Sequence, residues 1–283
     1  TVGANTRVIG INGNFDDAQT SYKNLFTDKA LVDEMAQHGM QFSSANSINI
    51  GRLTPQIVYY VYAYTRLLAD GVIKEGEPVN FVVPTGNFGN ILAAYYAKRM
   101  GLPIGKLICA SNSNKVLFDF FTTGEYDRNR KFVLTSSPSM DILISSNLER
   151  LIYHISGDDA GKCAAFMREL KETGRYSITP EMKAQLSDFV SGYADEEQTA
   201  EEIRTVYEND GYVIDPHTAV ASSVYRRYRE GTGDLTPAVI DSTASPFKFE
   251  GSVMAALGKD TSLPDLELAD KLSEVAGVPV PKA

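Results

Sequence analysis

The chain has 283 residues, 43% apolar and 22% charged, which is the balance of a globular protein able to bury a large core as one or two domains. Its formal charge of −9 argues against nucleic acid or an anionic membrane surface as the main partner, though a local pocket for a small anion stays open. Cys109 and Cys163 lie far apart without metal spacing and suit the reduced thiols of a cytoplasmic protein. No apolar run approaches the ~20 residues a membrane helix needs, and no signal peptide is visible.

In chain order, Arg7-Val-Ile-Gly-Ile11 reads as a strand, and Asp16 to Phe26 as a helix with Asp16 or Asp17 as its N-cap. Leu53, Ile57, Tyr60, Val61, Tyr64, Leu67 and Leu68 keep helical spacing, and Gly71 stops that helix. Tyr59, Tyr60, Tyr62 and Tyr64 read as a helix packing on a sheet. A strand at 79–83, a helix at 90–100, a strand at Leu107-Ile-Cys-Ala110 and a helix from Lys115 to Thr123 follow. Phe132-Val-Leu134 is a further strand candidate. From Met140 to Arg229 the pattern is almost wholly helical, and Ala238-Val-Ile240 is a late strand before closing helices. Strands alternating with helices make an α/β fold, a parallel-type sheet covered by helices. Ligands on such sheets sit beyond the carboxyl ends of the strands. The polar clusters fall there: Asn12 to Asn14, Pro84 to Asn90, Ser111 to Asn114, Ser136-Ser137 and Ser242-Thr243.

Val83-Pro-Thr-Gly-Asn-Phe-Gly-Asn90 is the richest of these clusters. The apolar run Phe81-Val82-Val83 is a buried strand, and Gly86 and Gly89 permit a tight turn with positive φ. Residues 91–100 then start a helix. Strand, Gly-rich turn and helix start bring free N–H groups and a favourable dipole onto an anion. A plain structural turn would carry the same letters. Asp215-Pro216-His217 reads as N-cap, first-position proline and first-turn residue rather than as a catalytic histidine. His38 and His154 sit in ordinary helical or loop surroundings. The acidic run Asp195-Glu196-Glu197 opens a solvated helix. Ser136 to Asp141 either lines a pocket or starts a helix capped by Ser139.

Several runs together resemble threonine synthase, a fold-type II (tryptophan synthase β-like) enzyme dependent on pyridoxal phosphate. They are Asn14-Phe-Asp-Asp17, Ser44-Ala-Asn-Ser-Ile-Asn49 with Arg52 and Gln56, and Pro84-Thr-Gly-Asn-Phe-Gly-Asn90. They continue with Ala97-Lys-Arg-Met-Gly-Leu-Pro-Ile104, Ser136-Ser-Pro-Ser-Met-Asp141 and Ser242-Thr-Ala-Ser-Pro-Phe-Lys-Phe249. The resemblance implies conversion of O-phosphohomoserine and water to threonine and phosphate. It implies that Gly86, Asn87, Phe88, Gly89 and Asn90 form the cofactor-phosphate loop, bound through backbone N–H groups while Phe88 packs. Thr243, with Ser242 second, matches the hydroxyl placed at the pyridine nitrogen; capping a helix near Pro246 is the alternative. Arg52 would clamp the substrate phosphate, since a guanidinium offers a bidentate fork. Asn46, Ser47 and Asn49 would assist it or simply order the turn.

The family's Schiff-base lysine, in a Ser-Phe-Lys-Asp type motif, has no match here, nor has its Gly-rich carboxylate loop. Lys98, Lys106, Lys115 and Lys248 lack the right context, so no catalytic residue is assigned. The chain therefore reads as the C-terminal portion of such an enzyme, inactive alone. Residues 1–70 form part of a smaller α/β domain; 71–283 form the larger one, with a helical region about 141–230. Self-association, or a missing N-terminal part, is expected to cover exposed edges around 6–11 and 79–83. The alternatives are another fold-type II enzyme, or a lysine-less paralogue that binds a phosphorylated metabolite.

Overall fold

The computed structural model describes residues 4–10, 12–13, 21, 24–44 and 46–281. By its contacts the chain divides into two units, 1–45 and 46–283. The stretch 46–69, which the sequence reading groups with the first domain, packs instead with the larger unit: Leu53, Tyr60 and Tyr64 belong to its core. In the first unit, helix α1 (Lys29–Gln37) is capped by Asp28, whose carboxylate accepts the Leu31 N–H. Residues 7–10 are not a strand, and Val8 and Ile9 are exposed. An apolar run becomes a strand only where a neighbour completes its ladder, and no described strand pairs with this one. Asn14 to Asp17, and most of the helix expected over 16–26, lie outside the described residues.

The larger unit is built on a four-stranded parallel sheet, order β5-β2-β1-β6, from β1 (Val79–Pro84), β2 (Ile104–Ser111), β5 (Phe189–Tyr193) and β6 (Ala238–Ile240). β1 is central and buried along its whole length, so 79–83 offers no open edge. Its side chains alternate between two cores. Val79, Phe81 and Val83 pack toward α2 (Ile50–Leu53), α3 (Ile57–Ala69), α4 (Gly89–Arg99), α5 (Val116–Thr123) and α6 (Leu148–Ile155). Val82 points the other way, with Ile108 and Ala110, onto Val220, Ala221 and Val224. The register of β1 on β2 slips between Val79 and Phe81. There the Asn80 side chain replaces the ladder, accepting the Lys106 N–H at 2.6 Å and donating to Asp234 at 2.9 Å. A second, two-stranded antiparallel sheet joins β3 (Glu125–Asp127) to β4 (Arg175–Ser177), with Tyr126 and Tyr176 stacked at 5.4 Å. Helices α7 (Ala160–Thr173), α8 (Pro180–Ala184), α9 (Glu196–Asp210), α10 (Pro216–Thr232), α11 (Glu250–Ala256) and α12 (Asp265–Ala276) complete the unit. None of the described helices is long and apolar enough to cross a membrane.

The helical reading of 140–229 misses β4 and β5. Phe189-Val-Ser-Gly-Tyr193 is short and holds a serine and a glycine. It becomes an edge strand because β2 supplies a parallel ladder and Phe189 drives into an aromatic cluster with Phe88, Tyr95 and Phe121. The strand expected at 132–134 is irregular. The Asn114 amide acts as its partner, donating to Val133 O and accepting the Val133 N–H. On α3, Tyr60 and Tyr64 are buried while Tyr59 and Tyr62 face solvent, so half of the tyrosine run packs. Phe189→Ala should cost about 3–5 kcal/mol, read as a lower urea midpoint at unchanged slope. A change under about 1 kcal/mol would show that β5 is not pinned by this ring.

Candidate functional site

The carboxyl ends of the four strands lie at one edge of the sheet. β1 and β6 run side by side in register Val82↔Ile240, and the Asp241 N–H donates to Val82 O. Ser242 and Thr243 thus emerge beside the turn that follows Pro84. That turn is tied by its acceptors. Gly86 O accepts from Ser145 Oγ (2.8 Å), and Asn87 O accepts from the Asn147 N–H (3.1 Å) and Nδ2 (2.9 Å). Phe88 O accepts from the Leu92 N–H, and Pro84 O from Asn90 Nδ2. In contrast, the backbone N–H groups of Gly86, Asn87, Phe88, Gly89 and Asn90 donate to no acceptor among the described residues. Among the described residues, these five donors, at and just before the start of α4, could together cradle an anion.

The positive φ expected at the glycines is found at Phe88 instead (φ 63°). Phe88 is fully buried, with Phe121 and Phe189 at 5.9 Å, so ring packing holds a non-glycine residue in the left-handed region. The glycines serve close approach. A Cβ at Gly86 would lie 2.6 Å from Ser139 O, and one at Gly89 would collide with Ser47 Oγ. The Asn87 Oδ1 atom is buried without a partner. An anion on the amides, and a donor for Asn87 Oδ1, would satisfy both features.

Asn46, Ser47, Asn49 and Arg52 lie on the turn leading into α2. Asn46 Oδ1 accepts the Ile48 N–H at 3.1 Å, and Asn49 caps α2 by accepting the Gly51 N–H at 2.9 Å. Both asparagines therefore order the turn. Ser47 alone of the four is seen against the loop, beside Gly89 and hydrogen-bonded to Asn147 Nδ2 at 3.0 Å. The Arg52 side chain is exposed and has no protein partner among the described residues. Thr243 is exposed and does not cap the turn at Pro246; Ser245 does, accepting the Phe247 N–H. Ser242 lies 3.2 Å from the Thr218 hydroxyl.

Asp215 caps α10 as expected, and His217 is structural. Its Nδ1 is 2.9 Å from Asp215 Oδ1 and its Nε2 accepts the Ser139 N–H at 3.3 Å, which puts the proton on Nδ1. Burial would raise the Asp215 carboxyl, but hydrogen bonds from His217 and Thr218 outweigh it and hold it below the usual range. Ser139 is no helix cap: it sits in a short turn, Pro138–Met140, ahead of His217. Asp141 is buried and accepts from Thr135 N and Oγ1, Asn112 Nδ2 and Asn114 Nδ2, a knot fixing 135–141, while Ser136 lines a cavity of about 310 Å³ with Glu196, Thr199 and Arg204 among others. Asp195 closes a capping box on α9. Burial raises both thiols, Cys109 to about 12, which leaves it inert at neutral pH.

Sequence reasoning missed Ser145, Asn147, Arg150, Tyr60 and Asp241. No local motif marks them, because their partners lie far along the chain. The Tyr60 hydroxyl is 2.7 Å from Asn90 O and 2.9 Å from Asp241 Oδ2. One hydroxyl proton cannot serve both acceptors, so the pair is complete only when Asp241 carries a proton. Burial pushes Asp241 up to about 6. A cavity of about 560 Å³ opens beside α6, lined by Ile48, Tyr96, Arg150, Tyr153, His154 and Cys163 among others.

The chain is similar to known proteins. Residues 218–279 match the family model "Threonine synthase, C-terminal". The chain is 44% identical over 252 residues to threonine synthase-like 1 of Homo sapiens, covering 88% of this chain and 34% of that protein. It is 39% identical over 275 residues to the threonine synthase of Schizosaccharomyces pombe, covering 89% and 52%. A solved structure of threonine synthase from Brucella melitensis, bound to pyridoxal phosphate, superposes with a TM-score of 0.77 at 40% identity, covering 92% and 53%. The chain is homologous to the threonine synthases. Its parallel sheet and flanking helices are those of fold-type II pyridoxal-phosphate enzymes. The chain spans between a third and about half the length of these relatives.

Asp241 gives a pH test. Its carboxyl is raised from 3.8 to about 6, so folding takes up a proton there. That stabilisation is fully present below pH 3.8 and is lost as pH rises through about 6. The penalty at neutral pH is on the order of 2–3 kcal/mol. Asp241→Asn should therefore gain stability over the original chain on moving from pH 4 to pH 8, by chemical denaturation at each pH. A wild-type minus variant difference that is flat with pH would remove this assignment.

Proposed function

We propose that this chain carries the phosphate-binding side of a pyridoxal-phosphate site in a threonine synthase, the enzyme converting O-phosphohomoserine and water to threonine and phosphate. The observation that carries the reading is the set of five amides at 86–90 that are unpaired among the described residues, around two positions that admit no Cβ. The amides of Gly86, Asn87, Phe88, Gly89 and Asn90 would hold the cofactor phosphate, with α4 favouring its charge. Thr243, at the edge shared with β1, would set its hydroxyl against the pyridine nitrogen, with Ser242 behind it on Thr218. The bound cofactor supplies an electron sink for carbanion chemistry. Arg52, exposed and without a protein partner among the described residues, would take the substrate phosphate as a fork. Asn46, Ser47 and Asn49 would shape the wall beside it.

The lysine to which the cofactor would be covalently attached has no matching motif in these 283 residues. Mixed with pyridoxal phosphate, the chain by itself is expected to leave no stoichiometric borohydride-trapped pyridoxyl lysine and to release no phosphate from O-phosphohomoserine. A single trapped lysine in the chain would overturn that part of the reading. Binding is tested separately: titration of isotope-labelled chain with inorganic phosphate should shift the amide signals of Gly86 and Gly89 saturably. No shift at those amides would defeat the cradle.

Arg52 is tested in a chain that also carries the lysine motif. Arg52→Ala should lower kcat/KM about ten- to a hundredfold, the loss of one charge-assisted fork, with cofactor absorbance unchanged. Arg52→Lys should recover only part, because a point charge replaces the fork. Unchanged kinetics in Arg52→Ala would return Arg52 to the surface.

A further inference from the structure

A buried side-chain bridge joins three segments far apart in the chain. Asn147, fully buried just before α6, donates twice to Asn87 O, through its N–H at 3.1 Å and its Nδ2 at 2.9 Å. The same Nδ2 reaches Ser47 Oγ at 3.0 Å. Its Oδ1 accepts from Arg150 Nη1, one helical turn on, and Arg150 Nη2 donates to Ile48 O at 2.7 Å. The Arg150 fork therefore spans Asn147 and the 46–49 turn, and Asn147 spans that turn and the 86–90 loop.

We infer that Asn147 and Arg150 are positioning residues that aim the 86–90 amides at the bound phosphate and set the Ser47 turn against them. This rests on the cradle reading above. The peptide between Asn87 and Phe88 has its carbonyl held on the Asn147 side. Planarity of the peptide group then sends the Phe88 N–H the opposite way, away from Asn147. Ser145 Oγ does the same for the Gly86 carbonyl and the Asn87 N–H. Without Asn147 the Asn87 carbonyl would be free to rotate, and the amides would lose their common direction. Arg150 acts one step further out. With the carboxamide oxygen engaged by the guanidinium, the Asn147 amide is fixed with its nitrogen toward Asn87 O and Ser47. Neither residue needs to touch the phosphate, so neither is assigned a catalytic role.

The test is inorganic phosphate binding to the isotope-labelled chain, read at the Gly86 and Gly89 amides, for wild type, Asn147→Ala and Arg150→Lys. Thermal midpoints are measured beside each. Arg150→Lys keeps the charge but not the two-pronged reach, so it separates positioning from attraction. The expected result is a dissociation constant about tenfold higher in Asn147→Ala and severalfold higher in Arg150→Lys, the scale of losing one or two oriented hydrogen bonds. The 86–90 amide signals should also be displaced before any phosphate is added. Phosphate binding within about twofold of wild type in a folded Asn147→Ala would overturn the inference. Should Asn147→Ala fail to fold, Arg150→Lys decides by the same twofold criterion. Wild-type amides that ignore phosphate would bring down the cradle, and this inference with it. Wild-type binding that survives both substitutions would overturn this inference alone.

Discussion

Five consecutive backbone donors without an acceptor among the described residues are the constraint on which this architecture turns. A dry, unpaired N–H costs on the order of 1–3 kcal/mol, so folded chains seldom leave several together. The first turn of a helix is where the geometry permits it, because its N–H groups have no carbonyl one turn back. Here the set extends upstream of α4, and Phe88 within it adopts a left-handed conformation. What holds Phe88 there is apolar. Its ring packs against Phe121 and Phe189, which stack on each other on α5 and β5. A polar function at the surface of the turn is thus secured by aromatic packing beneath it.

The sheet explains why the remaining candidates collect at the same edge. All four strands run parallel, so every chain crossing leaves through the same side. Helices on both faces exclude water from β1 along its full length, and polar groups are left to its carboxyl end. Tyr60 ties that end together from α3, touching both the first turn of α4 at Asn90 and the end of β6 at Asp241. This contact trades protons for geometry. The carboxyl of Asp241 is kept near the hydroxyl by burial, and its protonation decides which oxygen the tyrosine serves.

Much of this is legible in the letters. β1, α4, β2 and β6 are long or clearly bounded apolar runs, and Asp195 and Asp215 announce their helices through caps that act locally. Misreadings arise where a distant partner decides. Phe189 to Tyr193 looks like loop or helix until β2 supplies a ladder. Phe132 to Leu134 looks like strand until the Asn114 side chain takes the ladder's place. Gly86 and Gly89 suggest positive φ, when their value is the absence of a Cβ beneath Ser139 and Ser47. Arg150 carries no signal at all. Its contact with Ile48 crosses 102 residues of sequence, and arginine in a helix is otherwise an unremarked surface residue.

The charge balance of the chain looks unsuited to anions, and the resolution lies in range. A net charge of −9 is spread over a surface where salt screens it within about 8–10 Å. Amide dipoles act at hydrogen-bond distance, where that screening does not reach. They also present no net charge that would have to be buried when no anion is bound, unlike a lysine or arginine placed in the same turn. In the proposed site this divides labour by tenure. A cofactor phosphate that stays is suited to neutral donors on a rigid turn, tied from behind by Ser145 and Asn147. A substrate phosphate that must arrive and depart is suited to a long, solvated cation such as Arg52. Its contact is partly offset by the side-chain entropy lost on binding, and so remains reversible.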